Sequence, residues 1–289
     1  MDVLNSCIKS AIAGGKAIEN FKPKGIKAKA DKYVGSHAIV TDADFLSQKA
    51  ILKELAKDKE VFFITEEIVK GDIAKRIVKS TDLNKMKSSR VYIIDELDGS
   101  SSFNAGHYEW SVSVGCVEKL QHIAGAVFAP KLDMLFNAAK GKGTFLHNGK
   151  KSKCQVSDSS LKDAYVIFGP DNFLTKYPVH NKLLTKLGDV TRTINANGSC
   201  ALALGLVACG KADALVQPLQ SPWDWAAGKL LVEEAGGVLL FYEMDKGQII
   251  PIKHLEPSHY NSDKRSVGFV AGNKKIAEEI MKVLLSIKA

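Results

Sequence analysis

The stretch Val91-Tyr92-Ile93-Ile94-Asp95-Glu96-Leu97-Asp98-Gly99-Ser100 constrains this chain more than any other. Four consecutive β-branched or aromatic residues have strand character. The strand ends at Asp95, and Asp98 follows three residues later. Glu66 and Glu67 stand in the same relation to a second short apolar run, Val61-Phe62-Phe63-Ile64. Ligands of α/β sheets bind at the carboxyl ends of strands. The pattern therefore predicts a sheet that delivers acids to one edge.

Hydrophobic periodicity fills in the other elements. Helical spacing runs over Leu4–Phe21, Thr41–Leu55, Leu174–Leu187, Ala201–Cys209, Trp223–Ala235 and Ile276–Ile287. Strands are predicted at Trp110–Glu118, Ile123–Phe128, Tyr165–Phe168, Arg192–Asn195, Ala214–Val216, Val238–Tyr242 and Val267–Val270, with one more between the turns Gly141-Lys142-Gly143 and Asn148-Gly149. Strands and helices mix throughout, which predicts an α/β (α+β) chain of packed layers. A polar stretch at 150–162 divides it softly into an N-terminal α+β half (1–155) with most of the acids and a C-terminal α/β half (156–289) with Asp224. The two halves form one compact unit. The basic segment holding Lys27, Lys29 and Lys32 reads as a solvated loop or as a flap that attracts an anion.

Composition narrows the functional classes. Of 289 residues, 40 are Lys or Arg and 32 are Asp or Glu, a net charge of +8 that suits an anionic partner. No recognition motif accompanies that charge, so no nucleic-acid polymer is expected. The longest apolar stretch, Ala201–Cys209, falls far below the roughly 18 residues of a membrane span. Met1-Asp2-Val3-Leu4-Asn5 lacks the features of a secretory signal. Cys7, Cys116, Cys154, Cys200 and Cys209 form no C-x-x-C pair and predict free thiols in a reducing cytoplasm.

Two carboxylates at one strand end repel each other unless a cation sits between them. Oxygen donors without a His or Cys cluster favour Mg²⁺ over Zn²⁺. Gly99-Ser100-Ser101-Ser102 supplies turn amides that can hold a phosphate. An acid pair beside a phosphate cradle implies metal-assisted phosphate hydrolysis. Each piece also has a plainer reading: Asp98-Gly99 as a turn, Glu66-Glu67 as a solvated helix start, Asp224 as an N-cap. Their joint occurrence in this order carries the inference.

Val40-Thr41-Asp42-Ala43-Asp44, Thr65-Glu66-Glu67, Asp95-Glu96-Leu97-Asp98-Gly99-Ser100, and Trp223-Asp224-Trp225-Ala226-Ala227-Gly228 with Glu234-Ala235-Gly236-Gly237 together resemble the inositol monophosphatase superfamily. Gly198-Ser199-Cys200-Ala201 followed by Gly210-Lys211-Ala212-Asp213-Ala214 is similar to that family's substrate-side helix. The resemblance covers roughly residues 4 to 285 and implies a layered αβαβα sandwich. It also implies a lithium-sensitive, Mg²⁺-dependent phosphatase that forms a homodimer.

Carried over residue by residue, Glu66, Asp95 and the Leu97 carbonyl would hold one Mg²⁺. Asp95 would bridge to a second, held also by Asp98 and Asp224. Glu67 would support these ligands or face a weaker third ion. Ser100 paired with Asp44, together with Glu66, would activate water, while amides of Gly99, Ser100 and Ser101 would bind phosphate. Asp98, Gly198, Ser199, Cys200, Gln217 and Asp224 would meet the rest of a small phosphorylated substrate.

Two departures stand out. Glu96 occupies a position that is usually Pro, adding a charge that is either solvated or tunes the metals. Gln217 stands where animal inositol monophosphatases carry a Glu that hydrogen-bonds inositol hydroxyls. The resemblance therefore leaves inositol monophosphate, fructose 1,6-bisphosphate and 3′-phosphoadenosine 5′-phosphate as substrates. A non-catalytic phosphate-binding regulator is the reading from another class.

Overall fold

The computed structural model describes residues 2–22, 27–28, 39–40, 42–169, 178–263 and 267–287. The expected basic loop with Lys29 and Lys32 lies largely outside them, as do Thr41 and the start of the Leu174–Leu187 helix. In chain order the elements are α1 (Val3–Ile18), β1 (Lys27–Ala28), β2 (Ile39–Val40), α2 (Asp42–Leu55), β3 (Phe62–Thr65), β4 (Arg90–Asp98), α3 (Ser100–Asn104), β5 (Ser111–Glu118), β6 (Gln121–Ala129), β7 (Met134–Ala139), β8 (Gly143–Asn148) and β9 (Lys150–Lys153). There follow β10 (Tyr165–Phe168), α4 (Pro178–Val190), β11 (Thr193–Asn195), α5 (Cys200–Ala208), β12 (Ala214–Gln220), α6 (Pro222–Glu234), β13 (Val238–Asp245), β14 (Gln248–Ile252), β15 (Val267–Gly272) and α7 (Lys274–Ser286).

Local chemistry sets several of these boundaries. The Asp2 carboxylate accepts from the Leu4 amide at 3.1 Å and starts α1. Asn273 does the same for Ile276 at 2.9 Å and starts α7. Both are side-chain caps for first-turn amides that have no intrahelical partner. Pro178 stands at the first residue of α4, where its missing N–H costs nothing, so it opens the helix that the periodicity placed around it.

Strand alternation builds the layers. The first sheet runs β3-β4-β5-β6-β7-β8-β9 and the second β11-β10-β12-β15-β13-β14. On β4, Tyr92 and Ile94 pack with Cys7 and Ala11 of α1 and Ile51 of α2, while Val91 and Ile93 belong to the core with α5 and α6. On the second sheet Ile167 and Leu215 join that same central core, whereas Val166 and Val216 pack with Leu183 of α4 and Ile280 of α7. Successive side chains of a strand face opposite ways. Each sheet is thus covered on both faces, and the order is helices, sheet, helices, sheet, helices.

The central helix α6 sits unusually close to the first sheet. A Cβ on Gly115 would stand 2.8 Å from the Ala227 nitrogen, and one on Gly125 3.1 Å from the Ala227 Cα. Glycine on β5 and β6 therefore lets the helix backbone touch the sheet, which brings the start of α6 up to β4. Nearby, the buried His122 donates its Nδ1 hydrogen to the Ala226 carbonyl at 2.9 Å and accepts from the Tyr260 hydroxyl at Nε2. Burial lowers its pKa to about 3, so it stays neutral at physiological pH.

Four strands escaped the periodicity, among them Lys27–Ala28, which pairs with Ile39–Val40 where a loop was expected. Met134–Ala139 is poor in β-branched residues, Lys150–Lys153 is wholly polar, and Gln248–Ile252 contains Pro251. The last is the edge strand of its sheet, where proline is tolerated. Among the described residues no helix is long and apolar enough to cross a membrane.

One expectation is overturned. Cys154 and Cys209 form a disulfide across 55 residues of chain, tying the end of β9 to the end of α5, while Cys7, Cys116 and Cys200 are buried thiols outside it. The five thiols are therefore not all free, because the fold brings two distant ones together and spacing along the chain carries no sign of it. Closing a loop of 55 residues is worth about 4 kcal/mol by chain entropy. Reduction, or Cys154→Ser, is expected to lower Tm by roughly 7 °C in a differential scanning experiment. An unchanged Tm on reduction would show the pair to be thiols in solution.

Candidate metal centre

Strict alternation would place Asp95 and Asp98, three residues apart on one strand, on opposite faces of the sheet. The strand avoids this with a bulge. Asp95 pairs with Ser113 and Asp98 with Ser111, so three steps on β4 oppose two on β5. The extra residue turns Asp98 back to the side of Asp95. Asp224 arrives from the third position of α6, and ligand oxygens of Asp95, Asp98 and Asp224 all lie within 4.8 Å of one another.

A second group shares Asp95. One carboxylate oxygen each from Glu66, Asp95 and Glu96 also lie within 4.8 Å of one another. Glu66 follows β3, which pairs in parallel with β4, so the two strand ends present their acids side by side. Glu67 belongs to neither group. Its carbonyl accepts from the Thr65 hydroxyl at 2.8 Å and the Gln48 amide at 3.0 Å.

Each acid is held in place. The Leu97 amide donates to Asp95 Oδ1 at 3.0 Å. The Ser221 amide donates to Asp224 Oδ2 at 2.8 Å in a capping box, so Asp224 closes the helix start and belongs to the acid cluster at once. Asp98 takes the amides of Cys200 at 3.2 Å and Ala201 at 2.6 Å, together with the Ser199 hydroxyl. Having given its hydrogen to Asp98, the Ser199 oxygen accepts from the Leu202 amide at 3.1 Å and the Ser111 hydroxyl at 2.9 Å. The start of α5 is thus built onto Asp98.

The cluster is electrostatically costly without a cation. Burial, then Glu66, Asp98, Asp224 and Glu96, push the Asp95 carboxyl well up. Burial pushes Asp98 up to about 6 against the hydrogen bonds from Ser199, Ala201 and Cys200. Burial and then Glu66 raise Glu96, opposed by the Gln48 amide. Two oxygen-only groups joined at Asp95 have the donor chemistry to hold a hard metal ion.

Beside the acids, the Ser100 hydroxyl lies 3.3 Å from Asp44 Oδ1 and 2.9 Å from the Leu97 carbonyl. Asp44 is buried on the first turn of α2. Gly99 precedes Ser100 at φ +92°, the left-handed region, and a Cβ there would stand 2.8 Å from the Gly198 carbonyl oxygen and 3.0 Å from that of Glu109. Only glycine fits both restrictions. It turns the chain into α3, whose first backbone bond runs from the Phe103 amide to the Gly99 carbonyl at 3.0 Å. The amides of Ser100 and Ser101 precede that bond.

Gln217 stands on β12 of the second sheet. Its side chain covers Gly169, where a Cβ would clash with the amide oxygen at 1.4 Å. Gly198 and Ser101 are exposed. One sequence expectation for Glu96 fails: it is 0% exposed and therefore not solvated. Gln48 and Ser47 of α2 bind it, the amide donating to Oε1 at 2.9 Å and the hydroxyl to the main-chain carbonyl at 2.7 Å. Sequence reasoning did not place Gln48 or Ser47 in the site; Gln48 stands one helical turn after Asp44 on α2, the step along the chain that could have found it.

A model of the inositol monophosphatase family matches residues 2–288. The chain is 30% identical to the fructose-1,6-bisphosphatase/inositol-1-monophosphatase of Aquifex aeolicus, over 79% of this chain and 81% of that protein. It is 33% identical to inositol monophosphatase 2 of Solanum lycopersicum, over 79% and 84%. Its fold superimposes on the extragenic suppressor protein SuhB of Bartonella henselae with a TM-score of 0.76, at 25% identity and over 99% of both chains.

Proposed function

The chain belongs to the inositol monophosphatase family, and from that premise we propose that it hydrolyses a small phosphorylated polyol, inositol monophosphate foremost, as a Mg²⁺-dependent phosphomonoesterase. The observation that carries this reading is the convergence of Glu66, Asp95, Asp98 and Asp224 on two oxygen-only groups that share Asp95.

When bound there, divalent ions would neutralise a phosphate dianion and make water easier to deprotonate. Glu66, Asp95 and the Leu97 carbonyl would hold one, and Asp95, Asp98 and Asp224 the other. The chain supplies the remaining steps. The Ser100 hydroxyl, aligned by Asp44 Oδ1, orients the attacking water and passes its proton to the carboxylate. The Gly99, Ser100 and Ser101 amides hold the phosphate oxygens. Ser199 and Cys200 fix Asp98 from behind, which sets the position of the substrate-side helix. Gln217 offers the polyol both a donor and an acceptor without a charge.

A second reading, dual activity on fructose 1,6-bisphosphate, is supported by the combined name of the Aquifex aeolicus relative. The test is phosphate release with Mg²⁺ from inositol 1-phosphate, fructose 1,6-bisphosphate and 3′-phosphoadenosine 5′-phosphate in parallel. The expected result is a preference for inositol 1-phosphate over the nucleotide of about a hundredfold in kcat/KM, equivalent to about 2.7 kcal/mol. Comparable rates on inositol 1-phosphate and fructose 1,6-bisphosphate would establish the dual reading. A nucleotide preference would overturn both, and no release from any of the three, with EDTA making no difference, would favour the regulatory reading.

A further inference from the structure

We propose that Glu96 is an additional carboxylate ligand, alongside Glu66 and Asp95, for the divalent cation that this pair holds. The inference rests on the metal-site reading above.

Four observations lead to it. Glu96 is fully buried, at 0% exposure. One of its carboxylate oxygens lies within 4.8 Å of ligand oxygens of both Glu66 and Asp95, so the three acids face a common point. Its Oε1 accepts from the Gln48 amide at 2.9 Å, whereas its Oε2 is buried and has no hydrogen-bond partner among the described residues. The backbone is fastened as well, with Ser47 donating to the Glu96 carbonyl at 2.7 Å.

A buried carboxylate oxygen without a donor costs free energy that a cation would recover. The supporting arrangement is that of a ligand, with one oxygen oriented by a neighbouring amide and the other left over. With Glu96 the carboxylates around this cation number three rather than the two of Glu66 and Asp95. Carboxylate count is a main determinant of divalent-cation affinity.

The consequence is a cation held more tightly, and with fewer waters, than two carboxylates would allow. Calorimetric titration of the full chain with Mg²⁺ and Mn²⁺, without substrate, reads the affinity. The luminescence lifetime of bound Tb³⁺ in H₂O against D₂O counts coordinated waters. Glu96→Gln is expected to weaken binding at one site by about tenfold or more, the size of effect seen when a ligand environment is impaired. It is also expected to add one water to the bound Tb³⁺.

Glu96→Asp keeps the charge but withdraws the oxygen by one methylene, and the same two changes are expected of it. It serves equally if the glutamine variant fails to fold. Affinity within twofold of wild type in a folded variant would overturn the proposal. Weaker binding with an unchanged water count would overturn it too, since Glu96 would then act only as a distant charge. Failure of the wild type to bind any of these ions would instead sink the metal-site reading itself.

Discussion

Asp95→Asn is expected to reduce metal-dependent phosphate release by about a thousandfold or more, equivalent to about 4 kcal/mol of transition-state stabilisation. Asp95 is the only acid common to the two groups of three, so this one substitution weakens the coordination of both cations. Removing a single preorganised electrostatic contact in a buried site commonly costs a hundred- to a thousandfold in rate. Here the loss falls on two cations together.

The change is nearly isosteric. The asparagine carbonyl can still accept the Leu97 amide that now bonds Asp95 Oδ1 at 3.0 Å, so the strand end should persist. Loss of a buried charge also relieves the repulsion among Glu66, Asp98, Asp224 and Glu96. The variant should therefore melt in EDTA at or above the wild-type temperature while being inactive. Parallel phosphate-release assays and thermal melts decide the matter. Equal rates for wild type and variant would place the chemistry outside this acid cluster.

Gly99→Ala should be the next most damaging change. Alanine in the left-handed region costs about 1–2 kcal/mol before any contact is counted. The new Cβ would also press on two backbone carbonyls, those of Gly198 at 2.8 Å and Glu109 at 3.0 Å, which cannot swing aside as side-chain ends do. The loop must shift, and it carries Asp98 on one side and Ser100 on the other. Misplacement by about 1 Å can cost a hundredfold in rate. A fall in kcat of about that size is expected, with Tm lower by about 5 °C.

Gly106 supplies the control. It too has a positive φ, +79°, but nothing lies within 4 Å of its Cβ position. Gly106→Ala should pay only the local strain and keep its activity. If both variants behave alike, the contact with Gly198 and Glu109 does not position the site.

Some of this site could be read along the chain. An apolar β-branched run that stops at an acid is a local pattern, and it marked Glu66, Asp95 and Asp98 as strand-end carboxylates. Gly99 before Ser100 was equally legible as a turn. Other features depend on neighbours far away in sequence. The sequence left Glu96 either solvated or tuning the metals, and only the packing of Gln48 and Ser47 over it decides against the first. Cys154 and Cys209 looked like isolated thiols, since no spacing rule joins residues 55 apart. Met134–Ala139 and Lys150–Lys153 form strands only because a growing sheet offers them a partner.

By itself the sequence determined most of the elements, their layered α/β class and the acids at the strand ends, because periodicity and residue type act over a few adjacent positions. The tertiary structure alone decided which acids meet. The bulge between Asp95 and Asp98 depends on pairing with β5, and the arrival of Asp224 depends on α6 resting against Gly115 and Gly125. Convergence of charges in space is set by strand register and packing distance, and neither is written in the order of neighbouring residues.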